Sequence, residues 1–256
     1  MKTVSQFTLT LALINIMALF GSVQCFASLD SANGLTIQSK GFDEIAGSIR
    51  VSVMNVSDHP VVAWRVALVV ADRTGKGGTV FFTEDYWSMR NHGGVLKPHE
   101  ERILILPLGN RATPPHAASV RVTAIMYETG TGEGHPNQVE LLQSRRAARL
   151  RALEEIHRLI DGRIHQPEQH TSHEDVQDVL LIELMRLESY LVGQYDPAGA
   201  SAISSVIAYF RSAIGRIQQR DSSVEERKGD LRRLKALLAH EIEQIAMSLN
   251  VYPEIR

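Results

Sequence analysis

The hydrophobic pattern of this chain changes period once, and that change constrains the fold more than any other feature. From about Leu35 to Tyr127 the pattern repeats every two residues. Ile49, Val51 and Val53 alternate with Arg50, Ser52 and Met54. Trp64, Val66, Leu68 and Val70 alternate with Arg65, Ala67 and Val69. Val120, Val122, Ala124 and Met126 alternate with Arg121, Thr123, Ile125 and Tyr127. Alternation of this kind, rich in β-branched residues, turns one face of a strand toward a core. Turn-forming clusters punctuate the runs at 55–60, 72–78, 97–100 and 109–115. The spacing predicts about seven short antiparallel strands folded as a β-sandwich, with Trp64 as the central core aromatic.

Beyond Gly134 the period becomes helical, and four helix starts are legible. Asn137 with Glu140 has capping-box spacing and opens a helix running to Asp161-Gly162. Thr171-Ser172-His173-Glu174 precedes an apolar face of Val176, Leu180, Leu184, Leu187 and Leu191. Asp196-Pro197 places a capping residue before a proline at the first helical position. Its helix carries Ile203, Val206, Ile207, Phe210, Ile214 and Ile217, beside a face of small residues (Ser201, Ser205, Ala208, Ser212, Gly215) suited to close helix approach. Ser222-Ser223-Val224-Glu225 leads into Leu231, Leu234, Leu238, Ile242, Ile245 and Leu249, the stripe of a bundle helix. The expectation is an α+β chain in two parts: an antiparallel immunoglobulin-like β-sandwich over 28–137, then a four-helix region over 138–256.

Residues 1–27 read as a signal peptide. Lys2 supplies a positive start, and the apolar run Leu9–Phe20 falls within the ~7–15 residues of a signal core, short of the ~20 needed to span a bilayer. Cleavage between Ala27 and Ser28 leaves small residues, Cys25 and Ala27, at the two recognition positions. The expected location is therefore periplasmic or secreted, with no transmembrane span in the mature chain. Lipid attachment at Cys25 is the weaker alternative, because Gln24 precedes it. Cys25 is the one cysteine in the chain, so disulfide frameworks and cysteine-rich zinc modules are excluded. A formal net charge of -2 and an exported destination argue against nucleic acid as partner.

Four segments, Ile49–Asn55, Ala63-Trp64, Leu96-Lys97-Pro98-His99-Glu100 and Met126-Tyr127-Glu128-Thr129-Gly130, resemble exported bacterial modules with an immunoglobulin-like sandwich. The third segment in such modules often reads Leu-x-Pro-Gly-Glu and the last aromatic-acidic-Asp-Gly. Here His99 stands at the glycine and Thr129 at the aspartate. The resemblance covers residues 35–130 and implies a fold and an exported location, with no activity attached.

Two segments carry candidate chemistry. His165, His170, His173 and Glu174 are the densest group of metal-ligating side chains, a donor set suited to a divalent transition metal, although their spacing matches no established zinc pattern. Phe82, Tyr86 and Trp87 belong to an aromatic and acidic stretch that reads either as a recognition patch or as core packing at a strand end. Arg145, Arg146, Arg149 and Arg151 read as a charged outer helix face, with Glu154 and Glu155 spaced for intrahelical pairs. No segment has the spacing of a catalytic motif. The functional expectation is an exported, non-enzymatic binding protein of the cell envelope or periplasm, whose partner is an envelope protein or surface ligand. A metal-binding protein or metal-dependent enzyme built on the histidine segment is the alternative.

Overall fold

The computed structural model describes residues 34–43, 47–71, 74–86, 94–108, 117–165, 176–219 and 223–249. Among them the chain is α+β, with seven strands followed by four helices. The strands are β1 (Leu35–Asp43), β2 (Ser48–Asn55), β3 (Val61–Ala71), β4 (Gly77–Asp85), β5 (Glu101–Pro107), β6 (Ala117–Tyr127) and β7 (Gly132–Gly134). The helices are α1 (Pro136–His165), α2 (Val176–Val192), α3 (Pro197–Gln218) and α4 (Val224–Ser248). One antiparallel sheet has the order β1-β2-β5, the other β4-β3-β6-β7.

The two sheets share one apolar core. Ile49, Val51, Val53, Leu104 and Leu106 enter it from the first sheet, and Trp64, Val66, Leu68 and Val70 from β3 of the second. Trp64 is fully buried, as the alternation predicts. On β6 the simple alternation fails. Arg65 pairs with Ala124 but Val66 pairs with Val122, so Thr123 is the extra residue of a bulge. The bulge reverses the phase of the strand. Val120 and Val122 enter the intersheet core, then Ile125 and Tyr127 do, while Ala124 and Met126 turn outward. A period-two reading that runs straight through Thr123 assigns these last four residues to the wrong faces. All four are apolar because both faces are covered there.

The turn after β2 is held by Asn55. Its amide nitrogen donates to the carbonyls of His59 (2.9 Å) and Leu96 (3.0 Å), and its oxygen accepts from the Ser57 amide and hydroxyl. The Leu96–Glu100 segment closes with Glu100 N–H donating to Lys97 O, and His99 sits at φ 60. Pro98 and a positive φ at His99 are the requirements of a type II turn, a position where glycine carries no steric penalty.

α1 begins two residues earlier than a cap at Asn137 places it, with Pro136 as the first helical residue. His135 O accepts from Gln138 and Val139. The helix also runs on to His165. α3 starts as expected: Asp196 Oδ1 accepts the Gly199 N–H at 2.7 Å. α4 starts with a full capping box between Ser223 and Glu226. α1 touches the other three helices, α2 packs on α3, and α4 lies along α1. The predicted stripes of α3 and α4 meet Leu153, Ile156 and Ile160 of α1 in a second apolar core. The small-residue face of α3 does not serve close packing, because Ser201, Ala208 and Ser212 are exposed. The close approach occurs instead at Gly199, where an added Cβ would sit 3.3 Å from that of Ala148.

Candidate functional site: the sheet–helix junction

The outward face of the second sheet is where the helices dock. Val62, Ala63, Ala124 and Met126 form a small apolar patch with Leu142 of α1, flanked by Val139, Val95 and Leu249. β7 brings the chain into position, and Gly132 permits the approach: a Cβ there would lie 2.5 Å from Val139 Cγ1. α1 thus crosses β6 and β3 toward the end of β4, where Asp85 is the register partner of Ala63.

At that point the junction turns ionic. Arg146 Nη1 lies 2.5 Å from Asp85 Oδ1, and Arg149 Nη1 lies 2.6 Å from Asp85 Oδ2. All three side chains are only 3% exposed. Arg146 also donates through Nε and Nη2 to Ser248 Oγ (3.0 and 2.8 Å) and through Nη1 to the Tyr86 carbonyl (3.3 Å). Ser248 in turn donates to Ile245 O at 2.7 Å. Burial holds the Arg149 guanidinium below its ordinary value, against the opposing pull of Asp85; Arg146 and Arg145 add to the lowering, and buried Glu241 opposes it. Two buried acids face two buried arginines. The cluster joins β4, α1 and the end of α4, and a carboxylate held between two guanidiniums serves to fix geometry.

This overturns the outer-face reading of Arg146 and Arg149. Only Arg151 keeps it, paired through Nη2 with Glu155 at 2.6 Å. The signal for the buried pair lies in the spacing. Leu142, Arg146, Arg149, Leu153, Ile156 and Ile160 form one 4-3-4-3-4 stripe, so both arginines interrupt an apolar face. Glu241 and Ser248 interrupt the α4 stripe in the same way.

The aromatic candidates divide. Phe82 and Tyr86 are half-buried and pack on the intersheet core. Tyr86 lies 5.1 Å from the Trp64 ring, with the Arg102 guanidinium 4.6 Å above its own ring. Burial pushes the Tyr86 phenol up, and the hydrogen bond from Arg102 works against it. Trp87 lies outside the described residues. Phe81, not among the candidates, is exposed and sits under Arg65 at 4.5 Å.

Of the metal candidates, His165 ends α1 with a side chain 70% exposed, and its Nδ1 contacts Asp161 O and Oδ1 at 3.0 and 3.2 Å. His170, His173 and Glu174 lie outside the described residues, as do Ala27 and Ser28 of the expected cleavage site. Among the described residues no three potential ligands converge, and no helix is long and apolar enough to cross a membrane. No protein-family model matches the chain, and neither a curated protein nor a solved structure matches it.

Proposed function

We propose that the chain is an exported binding protein of the cell envelope, periplasmic or secreted, whose immunoglobulin-like sandwich offers a sheet edge to a partner protein. The strand order supports the fold part of this reading. β1-β2-β5 opposite β4-β3-β6-β7, with a buried tryptophan on β3, is similar to the ABED/CFG order of such a sandwich and departs from it in having β4 in the second sheet. The positive φ of His99 supports it too, because the resembling modules have glycine there.

The observation that carries the functional part is β5. Ile103 and Ile105 are 66% and 62% exposed, on neighbouring outward positions beside Ser52 and Arg50 of β2. Proteins blunt sheet edges with short strands, bulges, charges or proline. β7 has three residues, β1 carries an irregularity between Ile37 and Ser39, and β4 ends on the charges Glu84 and Asp85. β5 has such guards at its two ends, Glu101 and Pro107, and none over Ile103–Leu106, since Arg102 turns back over Tyr86. A strand edge with alternate exposed isoleucines complements an extended segment with alternate apolar side chains, the mode of β-strand addition.

A photo-crosslinking residue placed at Ile103 or Ile105 tests this in the native envelope. The reading expects a discrete protein adduct at these positions, absent with the probe at exposed Gln143 and lost when the neighbouring isoleucine is changed to Lys. Equal labelling at all three positions, or none, overturns it. Stoichiometric zinc or copper in the purified protein, lost on changing His170 and His173, would replace it with the metal reading.

A further inference from the structure

The backbone of β5 presents its free hydrogen-bonding groups in a fixed order. Asn55 N–H donates to Glu100 O at 3.0 Å, and Leu108 N–H donates to Gly47 O at 3.1 Å. These bonds extend by one residue, at either end, the register that pairs Met54 with Glu101 and Ser48 with Pro107. Bonded and non-bonded positions alternate along an antiparallel pair. The even-numbered residues from Glu100 to Leu108 therefore bond to β2. Glu101, Ile103 and Ile105 turn their N–H and C=O groups to the opposite side, where no strand pairs with β5 among the described residues. Pro107 belongs to the same set and offers a carbonyl without an N–H, so the open ladder ends there.

Residues directly opposite each other in an antiparallel pair share a face, so Ile103 and Ile105 call for apolar side chains across from them. A second β5 supplies both. Turned about a two-fold axis through Leu104, it sets Ile103 opposite the partner's Ile105 and Ile105 opposite the partner's Ile103. Each of these pairs exchanges both backbone bonds, and Glu101 N–H meets the carbonyl of the partner's Pro107. No like charges meet. Glu101 faces proline while its carboxylate accepts from the Ser52 hydroxyl on β2, and Arg102 lies over the Tyr86 ring. An axis through Ile103 would instead set Ile105 against glutamate, and one through Ile105 would set Ile103 against proline. Taking β5 as the binding edge, as in the reading above, we propose that its partner is a second copy of this chain, paired antiparallel about Leu104. The contact is isologous and closes at two copies, because each β5 edge is used once. The joined sheet then ends on β1, whose pairing is irregular between Ile37 and Ser39.

Sedimentation velocity of the purified chain over a concentration series tests this, with a reversible monomer–dimer equilibrium expected. Ile103→Lys and Ile105→Lys each remove both isoleucine pairs and should weaken the dimer about tenfold or more. Both side chains are exposed, so the fold tolerates either change. Opposite charges then read the register. Mixing the Ile103→Lys chain with an Ile105→Glu chain sets the two charges face to face in one row and leaves isoleucines paired in the other, so association should return. Mixing it with an Ile103→Glu chain sets each charge against isoleucine and should not restore it. Recovery in the first mixture alone supports the proposal. A parent chain that stays monomeric, a dimer that neither substitution weakens, or equal recovery in both mixtures overturns it. The photo-crosslinking residue at Ile103 separates this failure from failure of the edge reading. An adduct to a different protein, with a monomeric parent, removes self-pairing and keeps the edge; no adduct removes both.

Discussion

Among the four helices, twenty-one buried apolar residues from Ala148 to Ala246 form one core, whereas the junction of helices and sheet rests on five buried apolar residues and a cluster of buried charges. The helical core is broad and tolerant of small rotations, because apolar contact is non-directional. The junction patch is too small to define how α1 crosses the sheet. Directional bonds from Arg146 to Asp85 and to the Tyr86 carbonyl define it, with the ion pair of Arg149 and Asp85 beside them. In this molecule apolar area supplies cohesion, and buried charge sets how the two parts meet.

Truncating the centre of each region separates these roles. Phe210→Ala in the helical core and Asp85→Ala at the junction should each cost about 3–5 kcal/mol by urea unfolding, the first through a cavity and the second through two orphaned guanidiniums. The two losses should be repaired differently. Replacing Asp85, Arg146, Arg149 and Glu241 together by Leu or Met should recover most of the junction loss, because an apolar replacement of a whole buried network is often neutral. No such rescue exists for the Phe210 cavity unless volume is restored. A quadruple variant as unstable as Asp85→Ala would show that the charges supply stability rather than geometry.

Asn55 asks whether directional locks are confined to the junction. All of its amide bonding capacity toward His59, Leu96 and Ser57 is used while it is fully buried. Asn55→Ala should therefore cost about 2–3 kcal/mol in the same assay. The neighbouring turn should respond in the opposite direction. His99→Gly removes the penalty of a positive φ and should stabilise by about 0.5–1 kcal/mol after the added unfolded-state entropy. A loss of stability there would mean that the imidazole makes contacts of greater value.

The smallest effect belongs to the rim of the helical core. Burial, then Lys235, hold His157 below the ordinary imidazole value of 6.5. The folded state therefore favours the neutral ring. This contribution is present above pH 6.5 and is lost as the pH falls from there through the folded value. His157→Gln should flatten that part of the stability–pH curve and leave the remainder in place.

The architecture was legible where one physical rule acts alone. Strands with one buried face and helices with one apolar stripe follow their periods, so Trp64 and the stripes of α3 and α4 are where alternation and spacing place them. Legibility failed where two surfaces cover one element. The end of β6 is buried on both sides, so its apolar residues carry no phase information and the bulge at Thr123 is invisible. The candidate site failed for a related reason. Arg146 and Arg149 read as solvated when taken as charges in a basic run, and as buried when taken as positions in the Leu142–Ile160 stripe. Their partner Asp85 lies sixty-one residues from Arg146, and no local pattern connects them.

Differential scanning calorimetry of the purified protein tests the central claim, that the charge cluster makes sheet and helices one cooperative unit. A single transition is expected, with calorimetric and van't Hoff enthalpies equal, and Asp85→Ala should split it or bring the two enthalpies apart. Two transitions in the parent protein, or a single unaltered transition in Asp85→Ala, would contradict it.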